Sequence, residues 1–391
     1  MMITQTIALG ILARDFMILK QNMKRSAILF QNAVQVMVVN FVSLHKYKKV
    51  FLIPGMILRT LKTTDYRAWI YLLVFSAVAG IFALVFSTAH GNVFGNSLAS
   101  FIEDLNSGVN YKPLWMQVIG LLLLMANVIL FDHVLISQEV VEKNNHVPAY
   151  LMGLYLAYPL QEHPLHPQLV AQLLLTFSYQ RFISTYRLEK ATPRVFDGAF
   201  CLSCAVIIYP PYWVFFALGF ISLGVLRSFN AREYSLVIIG IGLPYLFYYT
   251  MLFLCNQALQ KPIQDIVNSF NRPQMPVYQN GSFLVNFTTI LIVLFAGIFF
   301  LGKQTSGKMK TQKALTIFLW ALVPCLAAIF LTNNHFVFTG QMAIMPLSLF
   351  TGIYFGSAKR RTFAEVLLLL LSVAILLSIL QHANLEVVKF N

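Results

Sequence analysis

The stretch from Trp69 to Phe86, WIYLLVFSAVAGIFALVF, decides the fold, because it runs eighteen residues without a single charge. A helix rises 1.5 Å per residue, so ~20 such residues cross a hydrocarbon core ~30 Å thick. Leu284 to Leu301 and Val366 to Leu380 are blocks of the same kind. In lipid every backbone amide must be paired inside its own segment, so uniformly apolar blocks of this length are helices. A membrane barrel would instead show shorter segments that alternate polar and apolar residues. Composition agrees: 58% of the chain is hydrophobic and 11% charged, against about 25% charged in soluble proteins, and mean hydropathy is +0.71. The predicted fold class is all-α, a polytopic transmembrane helical bundle.

Length and hydropathy predict spans at 68–87, 114–136, 147–160, 166–184, 196–209, 211–227, 234–255, 284–302, 314–332, 340–357 and 362–383, about eleven in all. Three of them, 147–160, 196–209 and 211–227, are short for a full crossing. They read equally as half-helices, or as a re-entrant hairpin turning at Tyr209, Pro210, Pro211 and Tyr212. Lys and Arg resist translocation, so their distribution tests the threading independently. With the N-terminus in the cytoplasm, 24 of the 28 Lys and Arg fall on the inner side. Only Lys112, Lys261, Arg272 and Lys389 fall outside, and the odd number of spans places the C-terminus outside.

The net charge of +14 is explained by these loops. No basic stripe interleaved with aromatics runs along the chain, which argues against nucleic acid as a partner. Cys201, Cys204, Cys255 and Cys325 lie in or beside apolar segments and read as packing groups, with no disulfide framework. Residues 1–55 differ from the rest. Their apolar run at 26–44 is interrupted by Gln31, Asn32, Gln35 and Asn40 and followed by basic residues, with no small-residue cleavage site. Either this is an amphipathic helix on the anionic inner leaflet, or translation begins at Met56; the second reading is preferred. Residues 56–391 then form one multi-span domain.

An ionisable group at mid-depth is costly and marks function. Asp132 and His133 lie near the inner end of their span, while Asp197, Glu233 and Glu365 sit in first helical turns on the inner side. There the helix dipole favours them and they are predicted to snorkel to the interface. No Asp, Glu, Lys or Arg is central in any span, which weighs against an ion-coupled carrier built on buried carboxylates. Glu162, His163 and His166 are ligand types, but prolines disrupt their spacing and a fourth ligand is missing, so no metal site is assigned.

Two outer loops carry the candidate chemistry. In 88–113, Glu103 and Asp104 follow Phe101 and Ile102, apolar residues placed to rest on the membrane surface. Acids held just above the head groups can take a proton from a hydroxyl, or hold a divalent cation against a lipid-linked phosphate. In 256–283, read as a loop, Lys261 and Arg272 stand outside against the topological bias and are the candidate phosphate-binding residues.

The segments Asn145-His-Val-Pro-Ala-Tyr150, Phe196-Asp-Gly198, Leu226-Arg-Ser-Phe-Asn-Ala-Arg-Glu-Tyr234 and Gly242-Leu-Pro-Tyr245 are diffuse motifs. In them the chain resembles a polytopic inner-membrane family of Bacteroidetes, a domain of unknown function, from near Met56 to the C-terminus. The resemblance implies a bacterial inner-membrane location and carries over no catalytic residue. In architecture the chain is also similar to C-type glycosyltransferases, multi-span enzymes that use polyprenyl-phosphate sugars and carry acids in the first outer loop. Glu103-Asp104 occupies that place, although the loop is short here.

The function expected on these grounds is transfer from a polyprenyl- or lipid-linked sugar phosphate at the outer face. Glu103 or Asp104 would serve as base, and Lys261 or Arg272 would meet phosphate. Membrane lipids are the other expected partners, and the residues name no cofactor. A transporter or flippase, suggested by the proline-broken segments, and a non-catalytic scaffold are the alternatives.

Overall fold

Tyr209 precedes Pro210, and a residue before proline is pushed out of the helical region. Its backbone, at φ −131° and ψ 88°, ends one helix, and Pro210–Phe215 continues as a 3-10 turn. Similar local rules set the other boundaries. The structure, a computed structural model, describes residues 58, 60–63, 66–85, 114–142, 144–162, 165–256, 260–270, 308–331, 343–358, 362–373 and 375–376. The chain divides into two units, Met1–Ile53 and Pro54–Asn391, and all described residues belong to the second.

The described helices are α1 (Tyr66–Val85), α2 (Leu114–Ser137), α3 (Val147–Glu162), α4 (Pro167–Ile183), α5 (Thr192–Ile208), α6 (Phe216–Leu226, after the 3-10 turn), α7 (Ala231–Leu254), α8 (Lys261–Phe270), α9 (Met309–Leu331), α10 (Ile344–Ser357) and α11 (Thr362–Val373). No strand occurs among the described residues, as the all-α reading requires. Ten of the predicted segments coincide with helices. The predicted span 284–302 and residues 1–57 lie outside the described residues. The segment 256–283, read as a loop, contains α8, which corrects that reading: Pro262 stands at its start, where proline is favoured because its missing N–H has no partner to lose.

Three described helices, Tyr66–Val85, Trp115–Ser137 and Ala231–Leu254, are long and apolar enough to cross a membrane. Their faces are sorted inside out. On α1, Ala68, Ser76, Ala79, Gly80 and Ala83 are buried, whereas Ile70, Val74, Val78, Ile81 and Val85 are exposed. Small residues let helices approach closely, and branched residues belong against lipid, so the pattern is that of a membrane bundle. Two shorter helices, α3 and α10, lie mostly buried among their neighbours. α3 is buried along nearly its whole length, with α1, α2 and α10 packed around it. α4 packs on α2 and α5, α5 also on α7, and α6 on α9. α7 lies tight against α5 at Gly240, where an added Cβ would stand 2.7 Å from the Ala199 Cβ and 3.1 Å from the Phe196 carbonyl oxygen.

Helix ends that carry the basic loops lie against one another. The His146 amide donates to the Leu61 carbonyl (3.0 Å). Lys308 and Thr311 donate to the Glu139 carboxylate and carbonyl at 2.9 and 2.7 Å. Lys313 reaches the Leu226 carbonyl (3.4 Å), and Arg227 donates to the carbonyls of Thr185 (3.1 Å) and Leu188 (2.5 Å).

Candidate functional site

At the N-terminus of α4, the His166 Nδ1 accepts the Gln168 amide at 3.2 Å and Pro167 opens the helix. The cap fixes the phase of the following turns. Gln168, Gln172, Thr176 and Tyr179 follow at intervals of four, four and three, which places them on one stripe of α4. All four are buried.

The stripe meets the 3-10 turn. The Tyr212 hydroxyl donates to Gln172 Oε1 at 2.6 Å and accepts from Gln168 Nε2 at 3.4 Å. Tyr212 is held in place by edge-on rings of Tyr209 (4.8 Å) and Phe215 (5.4 Å). Further along, Tyr179 stacks on Phe318 of α9, with centroids 4.8 Å apart and planes within 6°. Tyr179, Tyr212 and the buried Cys325 of α9 lie within electrostatic reach of one another. On the opposite flank of α4, Asn127 Nδ2 donates to the Leu169 carbonyl at 2.9 Å. A neutral polar seam therefore runs through the bundle.

Of the residues expected to carry chemistry, Glu103, Asp104 and Arg272 lie outside the described residues, as does the Lys261 side chain. Lys261 is the first residue of α8, and α8 packs against the 3-10 turn that carries Tyr212.

The helix ends with the basic loops hold a buried acid–imidazole pair and a partly buried carboxylate–guanidinium pair. Asp132 Oδ2 accepts from His146 Nδ1 at 2.8 Å, with both side chains almost fully buried, and Trp69 lies 5.4 Å from the His146 ring. Asp132 Oδ1 has no hydrogen-bond partner among the described residues. Glu233 meets Arg227 Nε at 2.9 Å and is 4% exposed, and Glu365 is 1% exposed. Both were predicted to snorkel and do not. For Glu233 a partner is visible, since Arg227 sets a cation against its carboxylate within the protein. Asp197 does follow the expectation: its side chain is half-exposed and only loosely paired with Arg181, at 3.8 Å. Cys201 and Cys204 are free thiols, half-buried, and no group of three or more metal-ligating side chains occurs among the described residues.

Sequence reasoning looked for charges and so passed over the seam. Its signal was the Gln168, Gln172, Thr176 and Tyr179 spacing inside a predicted span, together with the Tyr209–Tyr212 aromatic and proline cluster. No family model, no curated protein and no solved structure matches the chain.

Proposed function

We propose that the chain is a membrane enzyme of the bacterial inner membrane that transfers a group from a polyprenyl- or lipid-linked sugar phosphate at the outer face. Glu103 or Asp104 acts as the base, and Lys261 and Arg272 receive phosphate. The single observation that carries this reading is the packing of α8 on the 3-10 turn. The helix that begins at Lys261 packs on the turn that carries Tyr212, whose hydroxyl joins Gln168 and Gln172. Lys261, read from the sequence as an outer-loop cation, thus opens a helix that packs on the turn at the start of α6, the end of that helix away from Arg227. The mutual contacts of the basic loops are consistent with a threading of about eleven spans, N-terminus inside and C-terminus outside.

The chain reconstituted in nanodiscs with a polyprenyl-phosphate sugar and a hydroxyl acceptor should release polyprenyl phosphate, as the acceptor oxygen loses its proton to the base and bonds to the sugar while the sugar–phosphate bond breaks. Losing a positioned acid or base lowers a rate by about 10² to 10⁴, so Asp104→Asn or Glu103→Gln should abolish release at unchanged protein levels. Full release by both variants removes the reading.

A second reading, a flippase, is favoured by the α5, 3-10 turn and α6 interruption beside the buried seam, a combination that carriers use at their binding sites. It predicts transfer of a fluorescent lipid-linked substrate between leaflets without its cleavage.

A further inference from the structure

Basic side chains from four elements close around one short turn. The segment Ser184 to Leu188 follows α4, and its carbonyls accept from two of them: Arg194 of α5 donates to Ser184 at 2.8 Å, and Arg227, at the end of α6, donates to Thr185 and Leu188. Tyr186, in the same turn, has the Arg187 guanidinium 5.2 Å and the Lys313 ammonium of α9 5.4 Å from its ring centroid. Lys313 also reaches the carbonyl of Leu226, the residue before Arg227. Like charges gathered in this way repel one another. Of the four, only Arg227 has a carboxylate partner among the described residues, Glu233. Glu189, next to the turn, is exposed and forms no ion pair among them.

Arg187 stands at φ 57°, in the left-handed region that glycine adopts at no cost and arginine does not. Backbone preference therefore does not call for arginine here, and what the residue contributes is its exposed charge. The surroundings state what that charge meets. α7 begins beside the cluster, tied to it by the Arg227–Glu233 pair, and within two turns exposes Ile238 and Ile239 on a helix long and apolar enough to cross a membrane. Phe229, between Arg227 and α7, is 78% exposed. An exposed aromatic beside the start of an apolar helix belongs at the level of lipid head groups.

We infer that this cluster binds an anionic phospholipid, whose phosphodiester is held by Arg187 and Lys313, while Arg194 and Arg227 brace the turn and add to its field. The phosphodiester supplies the negative charge that the cations lack, and the acyl chains meet the apolar surface that begins beside them. A free phosphate would use only the first of these features. The site is independent of the proposed activity, since none of Glu103, Asp104, Lys261 and Arg272 belongs to it.

Native mass spectrometry of the full chain, released from vesicles of phosphatidylglycerol and phosphatidylcholine in equal amounts, tests it. Phosphatidylglycerol should be retained several-fold over phosphatidylcholine, whose choline carries a cation that the cluster repels. Arg187→Gly, which removes the charge at a backbone position suited to glycine, and Lys313→Gln should each lower that preference several-fold. Arg232→Gln removes an exposed cation that makes none of these contacts and should leave the preference unchanged. Inorganic phosphate in large excess should not displace the lipid. Equal retention of the two lipids, an undiminished preference in Arg187→Gly and Lys313→Gln, an equal loss in Arg232→Gln, or displacement of the lipid by phosphate overturns the inference.

Discussion

Asp132 and His146 are bonded to one another and almost fully buried, so each depends on the other more than a member of a surface pair would. His146→Ala leaves the Asp132 carboxylate buried without its partner and is expected to lower stability by about 3–5 kcal/mol. Replacing both by leucine should cost far less than the sum of the single changes. A double-mutant cycle from unfolding in detergent checks this, and additive losses would count against a coupled pair. These residues also show what a sequence reveals at this scale. Asp132 was legible as an ionisable residue near a helix end. Its partner was not, because His146 lies beyond a turn whose geometry no spacing rule encodes. Gln168 and Gln172 were invisible for another reason: an uncharged amide barely lowers the hydropathy of a long apolar window, yet it costs as much to bury unpaired as many features that do stand out.

At the scale of the element, α7 contains its own control. Gly240 faces α5 at closest approach, whereas a Cβ at Gly242 would meet nothing within 4 Å. Gly242→Ala is therefore expected to be neutral or stabilising by about 0.5–1 kcal/mol, the helix-interior preference for alanine over glycine. Gly240→Ala should be destabilising, because the Ala199 Cβ and the Phe196 carbonyl belong to a packed backbone that cannot give way. Thermal unfolding of the two proteins separates the cases, and equal midpoints would contradict the α5 and α7 packing. The long helices were readable because their apolar runs exceed anything a soluble core requires. α8 was not: Pro262, Pro273 and Pro276 gave its surroundings the look of a loop, although a proline in a first turn starts a helix as readily as one in the middle breaks it.

At the scale of the whole molecule, the charge pattern predicts one arrangement of the loops. A phosphatase reporter, active only outside the cytoplasm, should be active when fused within 88–113 and inactive when fused after Lys310 or Arg360. Activity after Lys310 would contradict the threading, and the contacts of Lys308 with Glu139 and of Lys313 with Leu226 would carry the loop at residue 139 and the end of α6 with it. The threading can be predicted from sequence because Lys and Arg are sorted by insertion itself, a physical process that acts before any tertiary contact forms. The placement of the short helices was not, since burial among neighbours is decided by packing. That placement has its own outcome. α3 and α10, with 16 and 14 residues, measure only ~24 and ~21 Å at 1.5 Å per residue, less than the ~30 Å of hydrocarbon around the bundle. Packed among neighbouring helices, they do not have to match that thickness, so changing the length of either by a residue or two would be opposed by packing and not by the bilayer.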